Sequence, residues 1–131
     1  MSTQSGGGSM EHELYARIGE AGFERLVAGF YSRVRTDELL APLYPKDDWE
    51  GAEERLRDFL VGRFGGPPRY IEARGHPRLR MRHAGFPIDQ VARDRWMALM
   101  EQSLAEADLP PQASDFLRAF FAQVATFLIN R

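Results

Sequence analysis

Residues 74–86 read RGHPRLRMRHAGF and hold two of the chain's three histidines, His76 and His83, among four arginines. Pro77 is placed to open a helix, Gly85 to close it and Pro87 to forbid its continuation. Residues 77–84 are therefore predicted to form a helix of about two turns. So short a helix is not stable by itself in water. It has to be held by packing or by something it binds.

The flanking segments are longer and amphipathic. On the C-terminal side, Asp89 can cap a helix to about Ala107 whose inward residues are Trp96, Leu99, Met100 and Leu104. After LPP at 109–111 breaks it, a last helix from about Ser114 to Ile129 carries Phe116, Leu117, Phe120, Phe121, Val124, Phe127 and Leu128 on one broad face. On the N-terminal side, GGPP at 65–68 ends a helix that runs from Trp49, capped by Asp47 or Asp48, to about Phe64. Its inward stripe is Ala52, Leu56, Phe59 and Leu60. The stretch from there to Gly75, holding Tyr70, reads as an irregular crossing segment.

Further upstream, Glu13–Ile18 forms a short segment, with Gly19 and Gly22 placed to let the chain turn. Phe23–Val34 then repeats apolar residues at Phe23, Leu26, Val27, Phe30 and Val34, with Tyr31 beside the stripe. TDELLAPLYP, at 36–45, predicts one helical turn capped by Thr36 or Asp37 and ended by Pro42 and Pro45. There is no alternating strand pattern and no internal repeat. Amphipathic helices of this kind bury their stripes only against one another, so the expected fold is an all-α domain over residues 12–131. Residues 1–11, rich in Gly and Ser, read as a disordered leader.

A chain of 131 residues, 44% hydrophobic and 27% charged, fits one domain. Its 17 basic and 19 acidic residues are interleaved, so no net field draws it to nucleic acid or to an anionic membrane. The absence of cysteine excludes disulfides, thiolate zinc sites, iron–sulfur clusters and thioether-linked haem. No apolar run reaches membrane-spanning length and MSTQSGGGSM lacks the apolar core of a signal peptide, so a cytoplasmic location is expected.

Within the short helix, His83 shares a side with Leu79, while Arg78, Arg80 and Arg82 point at least partly elsewhere. Inward histidine among apolar residues, with arginines reaching out, suits a planar dianionic cofactor whose metal takes the imidazole. The alternative is a polar residue at a helix end, favoured by the negative end of the helix dipole. His76 precedes Pro77 and lies outside the helix. Tyr31, Tyr44 and Trp96 each bring a polar hydrogen onto or beside apolar stripes, and buried phenol and indole groups need partners. Ala52 and Leu56, one turn apart, make a small apolar wall.

With these residues in view, the sequence resembles the truncated haemoglobins of the second group over about Leu14 to Asn130. The segments that carry the likeness are FYSRV, LYPKDDWEGAEERLRDFL, FGGPPRYIEARGHPRLRMRHAGF and RDRWMALM. The resemblance implies a shortened globin, a two-over-two helical sandwich around haem b, whose proximal helix is little more than a turn. It implies His83 as the metal ligand and Tyr31, Tyr44 and Trp96 as the distal polar set beside Ala52 and Leu56. It further implies Arg55, Tyr70 and Arg82 as partners of the haem propionates, with His76 and Arg80 as further candidates, and Phe59, Leu79, Phe86 and Ile88 along the porphyrin faces. Gly85 stands where the family often has proline, and Phe64 where tryptophan is common.

Two function classes follow from the resemblance. One is binding of dioxygen, nitric oxide or carbon monoxide; the other is redox catalysis, as a nitric oxide dioxygenase or a peroxidase supplied with electrons by an external reductase. A homodimer is the further assembly considered. A haem-free helical domain acting through partners is disfavoured, because apolar residues would serve such a core better than His83, Tyr31 and Trp96.

Overall fold

The computed structural model describes residues 6–131, with side chains described from Met10 onward. Six α-helices follow in order: α1 Gly6–Val34, α2 Trp49–Arg63, α3 Arg69–Arg74, α4 Leu79–Arg82, α5 Gln90–Glu106 and α6 Pro111–Phe127, with a 3-10 turn at Ala41–Leu43. There is no strand among the described residues. The helix α1 packs on α2, α5 and α6, and α5 packs on α6, which makes a two-over-two helical sandwich.

The core is what the helical stripes predict. Phe23, Leu26, Val27, Phe30 and Val34 from α1 meet Leu60 and Val61 from α2, Met100 and Leu104 from α5, and Leu117 and Phe121 from α6, all of them buried. Phe64, just past α2, is also buried and takes Phe23 in a stacked arrangement and Phe120 edge-on, with centroids 6.4 Å and 4.9 Å away.

Several boundaries differ from the sequence reading. Of the leader expected over residues 1–11, residues 1–5 lie outside the described residues. From Gly6 the chain is already helical, and Glu11 pairs with Arg63 at 2.6 Å. Gly19 does break the helix, with φ 70° and ψ 174°, but Gly22 does not turn the chain. Gly22 is buried, and a Cβ there would stand 3.0 Å from the Ile18 Cβ, so its role is close packing. Gly65, at φ +102°, lets the chain after α2 press onto α1, where a Cβ would lie 2.4 Å from the His12 carbonyl oxygen. The Phe64 carbonyl accepts from the Tyr15 amide there at 2.9 Å.

The segment expected to be irregular contains α3, with Tyr70 buried. Pro42 lies inside the 3-10 turn rather than ending it, and Pro111 opens α6 three residues before the expected start. Phe127, expected inward, is 55% exposed, with the Arg80 guanidinium over its ring at 5.5 Å. Asp89 caps α5 as expected, accepting from the Ala92 amide at 2.8 Å.

Asp37 holds the turn before α2. Its carboxylate accepts from the Leu39 and Leu40 amides at 3.1 and 2.9 Å and pairs with Arg95 of α5 at 2.6 Å. Burial by itself would raise this carboxyl, but the Leu40 amide and the Arg95 guanidinium outweigh it and bring it below the usual value. A lowered folded value means stability that is present above the unfolded carboxyl range and is lost as pH falls through the folded value. Asp37→Ala is expected to cost about 1–3 kcal/mol near pH 7. Thermal melts of both proteins at about pH 7 and about pH 3 check this, with the gap narrowing at the lower pH.

Candidate functional site

A cleft of about 510 Å³ lies between the helix pairs and is bordered by residues of all six helices. Most of its lining is apolar: Leu40 and Leu43 from the turn, Ala52, Leu56 and Phe59 from α2, and Phe121 and Val124 from α6 among them. Leu56, Phe59 and Val124 sit on inward faces yet stay only half-buried, because they border the cleft rather than another helix.

The shortness of α4 places His83. The helix spans only Leu79–Arg82, and Arg78 before it is left-handed at φ 44°, so it begins two residues later than Pro77 predicts. His83 ends it, with Nδ1 2.7 Å from the Leu79 carbonyl oxygen one turn back. A carbonyl can only accept, so this bond puts the ring hydrogen on Nδ1 and leaves the Nε2 lone pair free in the neutral imidazole. That is the state a metal ligand requires. Leu79, Phe86 and Ile88 border the cleft beside it, and the Phe86 ring stands edge-on 6.4 Å away.

Three polar hydrogens converge elsewhere in the lining. Tyr31, buried on α1, and Tyr44, after the 3-10 turn, meet edge to face at 5.7 Å. Trp96, on α5, lines the same cleft. Burial pushes the Tyr31 phenol well above its usual value, helped by Tyr44. It raises Tyr44 too, against the opposing influence of the neighbouring Trp96 and Tyr31. Both phenols therefore keep their hydrogens at neutral pH. Each of the three thus brings a polar hydrogen to the cleft lining.

Cations and Tyr70 complete the lining. Arg55 borders the cleft while pairing with Asp48 at 3.0 Å. Arg82 donates to the carbonyls of Pro77, Arg74 and His76 at 2.7, 2.9 and 3.2 Å, and lies over the Tyr70 ring at 5.9 Å.

Of the residues singled out in the sequence, Tyr31, Tyr44, Ala52, Arg55, Leu56, Phe59, Tyr70, Leu79, Arg82, His83, Phe86, Ile88 and Trp96 all line this cleft. His76 and Arg80 do not. His76 is exposed and contributes only its carbonyl to Arg82, and Arg80 donates to the Phe127 carbonyl at 2.8 Å. On a helix Arg80 and Arg82 stand nearly opposite one another, so both cannot face one cleft. The sequence reading missed Arg74 and Arg93 in the lining, and Trp49, whose ring packs 5.5 Å from Tyr44. It also missed Asn130, where an asparagine just past the last apolar residue reads only as a helix ending.

Among the described residues no group of three or more His, Asp or Glu side chains could hold a bare metal ion. A metal at His83 therefore has to bring its other ligands with it. A large apolar ring with anionic edge groups fits the half-buried apolar walls and the arginines bordering them.

Comparison with known proteins agrees. Residues 13–130 match the model of the family described as bacterial-like globin. The group 2 truncated hemoglobin YjbI of Bacillus subtilis is 37% identical over 117 residues, covering 89% of this chain and 88% of that protein. The crystal structure of a hemoglobin from Chloroflexus aurantiacus matches with TM-score 0.87 and 46% identity, over 90% of this chain and 98% of that one. A truncated oxygen-avid haemoglobin from Bacillus subtilis matches with TM-score 0.83 and 36% identity, over 88% and 98% of the two chains. The chain thus belongs to the bacterial-like globin family, among its group II truncated haemoglobins, and with that membership go a haem cofactor and the binding of a diatomic gas such as oxygen.

Proposed function

We propose that this chain is a haem b protein that binds dioxygen tightly, takes nitric oxide and carbon monoxide at the same place, and holds them with a distal set of tyrosine and tryptophan donors. The observation that carries the reading is the gathering of Tyr31, Tyr44 and Trp96, each with a polar hydrogen, in the lining of the same apolar cleft that His83 borders. The oxygen avidity named for the Bacillus subtilis relative is in keeping with it.

Haem b would supply an iron with one coordination position open to a diatomic gas. His83 would hold that iron through Nε2, with Nδ1 fixed on the Leu79 carbonyl so that the ring keeps its tautomer. Leu79, Phe86, Ile88, Leu56 and Phe59 would cover the ring faces and keep water out. Arg55, Arg82 and Tyr70 would meet the propionates. Tyr31, Tyr44 and Trp96 would donate to a ligand that gathers negative charge, in surroundings where such bonds are stronger than in water. Ala52, being small, would leave room beside them.

The test is the visible absorption spectrum of the purified chain, as isolated and after haemin, reductant and carbon monoxide. A sharp Soret band that shifts with carbon monoxide is the expected result. No bound haem under any of these conditions would remove the reading.

A further inference from the structure

The loop that follows His83 has little to hold it in place. A four-residue helix lends it no rigidity, and a side chain at Gly85 would meet nothing within 4 Å. Besides one bond within the loop, from the Phe86 amide to the His83 carbonyl at 3.0 Å, its polar backbone groups are satisfied from the chain just past α6. The Asn130 side-chain amide donates to the His83 carbonyl at 3.2 Å and to the Phe86 carbonyl at 2.9 Å, and its oxygen accepts from the Ile88 amide at 3.0 Å. The Asn130 and Arg131 backbone amides both donate to the Ile88 carbonyl, at 2.8 and 3.1 Å.

One side chain thus uses two donors and one acceptor on three residues of a six-residue loop. Only a primary amide offers that set at this length. Aspartate keeps the acceptor, loses both donors and turns a negative charge toward two carbonyl oxygens. The same α6 that ends here also borders the cleft with Phe121, Val124 and Ala125, and Leu128 follows just past its end. His83 is therefore held from both sides: its ring by the Leu79 carbonyl and its own carbonyl by Asn130.

We infer that Asn130 is a positioning residue for the metal-ligating histidine, setting through the His83–Ile88 loop how the imidazole is presented to the haem iron. The inference rests on the haem reading above. Without Asn130 the Phe86 carbonyl and the Ile88 amide turn to water, the His83 carbonyl keeps only the Phe86 amide, and the loop no longer fixes the direction of His83.

The test compares Asn130→Ala and Asn130→Asp with wild type and with Ile129→Ala, a neighbouring control. Three quantities are read: amide hydrogen exchange at Ile88 in the chain as purified, the iron–histidine stretching line of the ferrous protein in resonance Raman spectra, and the rate of haemin transfer to an excess of apomyoglobin. Both Asn130 variants are expected to exchange Ile88 faster, to shift and broaden the iron–histidine line, and to lose haemin roughly tenfold to a hundredfold faster, at about one decade per 1.4 kcal/mol lost. Ile129→Ala is expected to leave all three near wild type.

Unchanged Raman line and haemin loss in variants that load haemin would overturn the positioning role, even if Ile88 exchange rose. Equal changes in Ile129→Ala would reduce it to general loosening of the chain end and overturn it too. A wild type that takes up no haemin would overturn the haem reading itself, and the positioning role with it.

Discussion

His83→Gly is expected to lose the axial bond, weakening haemin retention by at least a hundredfold and shifting the Soret band, with free imidazole restoring much of both. The size follows from what the substitution removes. Among the residues lining the cleft His83 is the only histidine, and there is no methionine or cysteine to take its place. What remains is apolar contact from Leu79, Phe86, Ile88, Leu56 and Phe59 and the charges of Arg55 and Arg82, enough to keep a haem in the cleft loosely but not to fix it. Rescue by imidazole separates loss of the ligand from loss of the fold: glycine leaves a hole of imidazole's shape, and an unfolded chain would not respond. Absorption spectra and haemin-transfer rates, with and without imidazole, measure it. A variant that matched wild type in both would remove His83 from the site.

Tyr31→Phe and Trp96→Phe are each expected to speed dioxygen release by roughly tenfold to a hundredfold, the worth of one hydrogen bond to a charged partner at about 1.5–3 kcal/mol. The two changes should not add independently. Tyr31 packs edge to face against Tyr44 and both share the cleft with Trp96, so a change at one alters what the others can offer the ligand. Tyr44→Phe removes the third polar hydrogen of the set. Because burial raises both phenols above their ordinary value, the donors keep their hydrogens and release in wild type is expected to be flat from about pH 6 to about pH 9. Stopped-flow displacement of dioxygen by carbon monoxide reads all four proteins. Release that is unchanged in every variant would show that these donors do not touch the ligand.

The sequence made some of this legible and hid the rest for identifiable reasons. Tyr31 and Trp96 stand out because an aromatic with a polar hydrogen on a helical apolar stripe has a direction, which the 3.6-residue period supplies. Tyr44 follows a 3-10 turn, where no period gives a direction, so its place beside Tyr31 emerges only from the fold. His83 was legible through Leu79, four residues back. Arg80 and Arg82 are not separable by residue type; only the helix face distinguishes the one bordering the cleft from the one bonded to the Phe127 carbonyl. The helix α3 is too short to show a full apolar period, and Asn130 lies more than forty residues from the loop it holds. Long-range polar contacts of that kind leave no periodic trace.

Arg82 gives its hydrogens to three carbonyl oxygens, which are neutral, and so none of its charge is cancelled by them. The guanidinium is anchored and yet remains a full positive point at the mouth of an apolar recess, where low-polarity walls concentrate its field. An anionic molecule would feel that pull before it touches the protein. Capture of haemin should therefore slow as salt is added, over a range near the Debye length of about 10 Å at 0.1 M, whereas its escape, governed by short-range bonds, should scarcely respond.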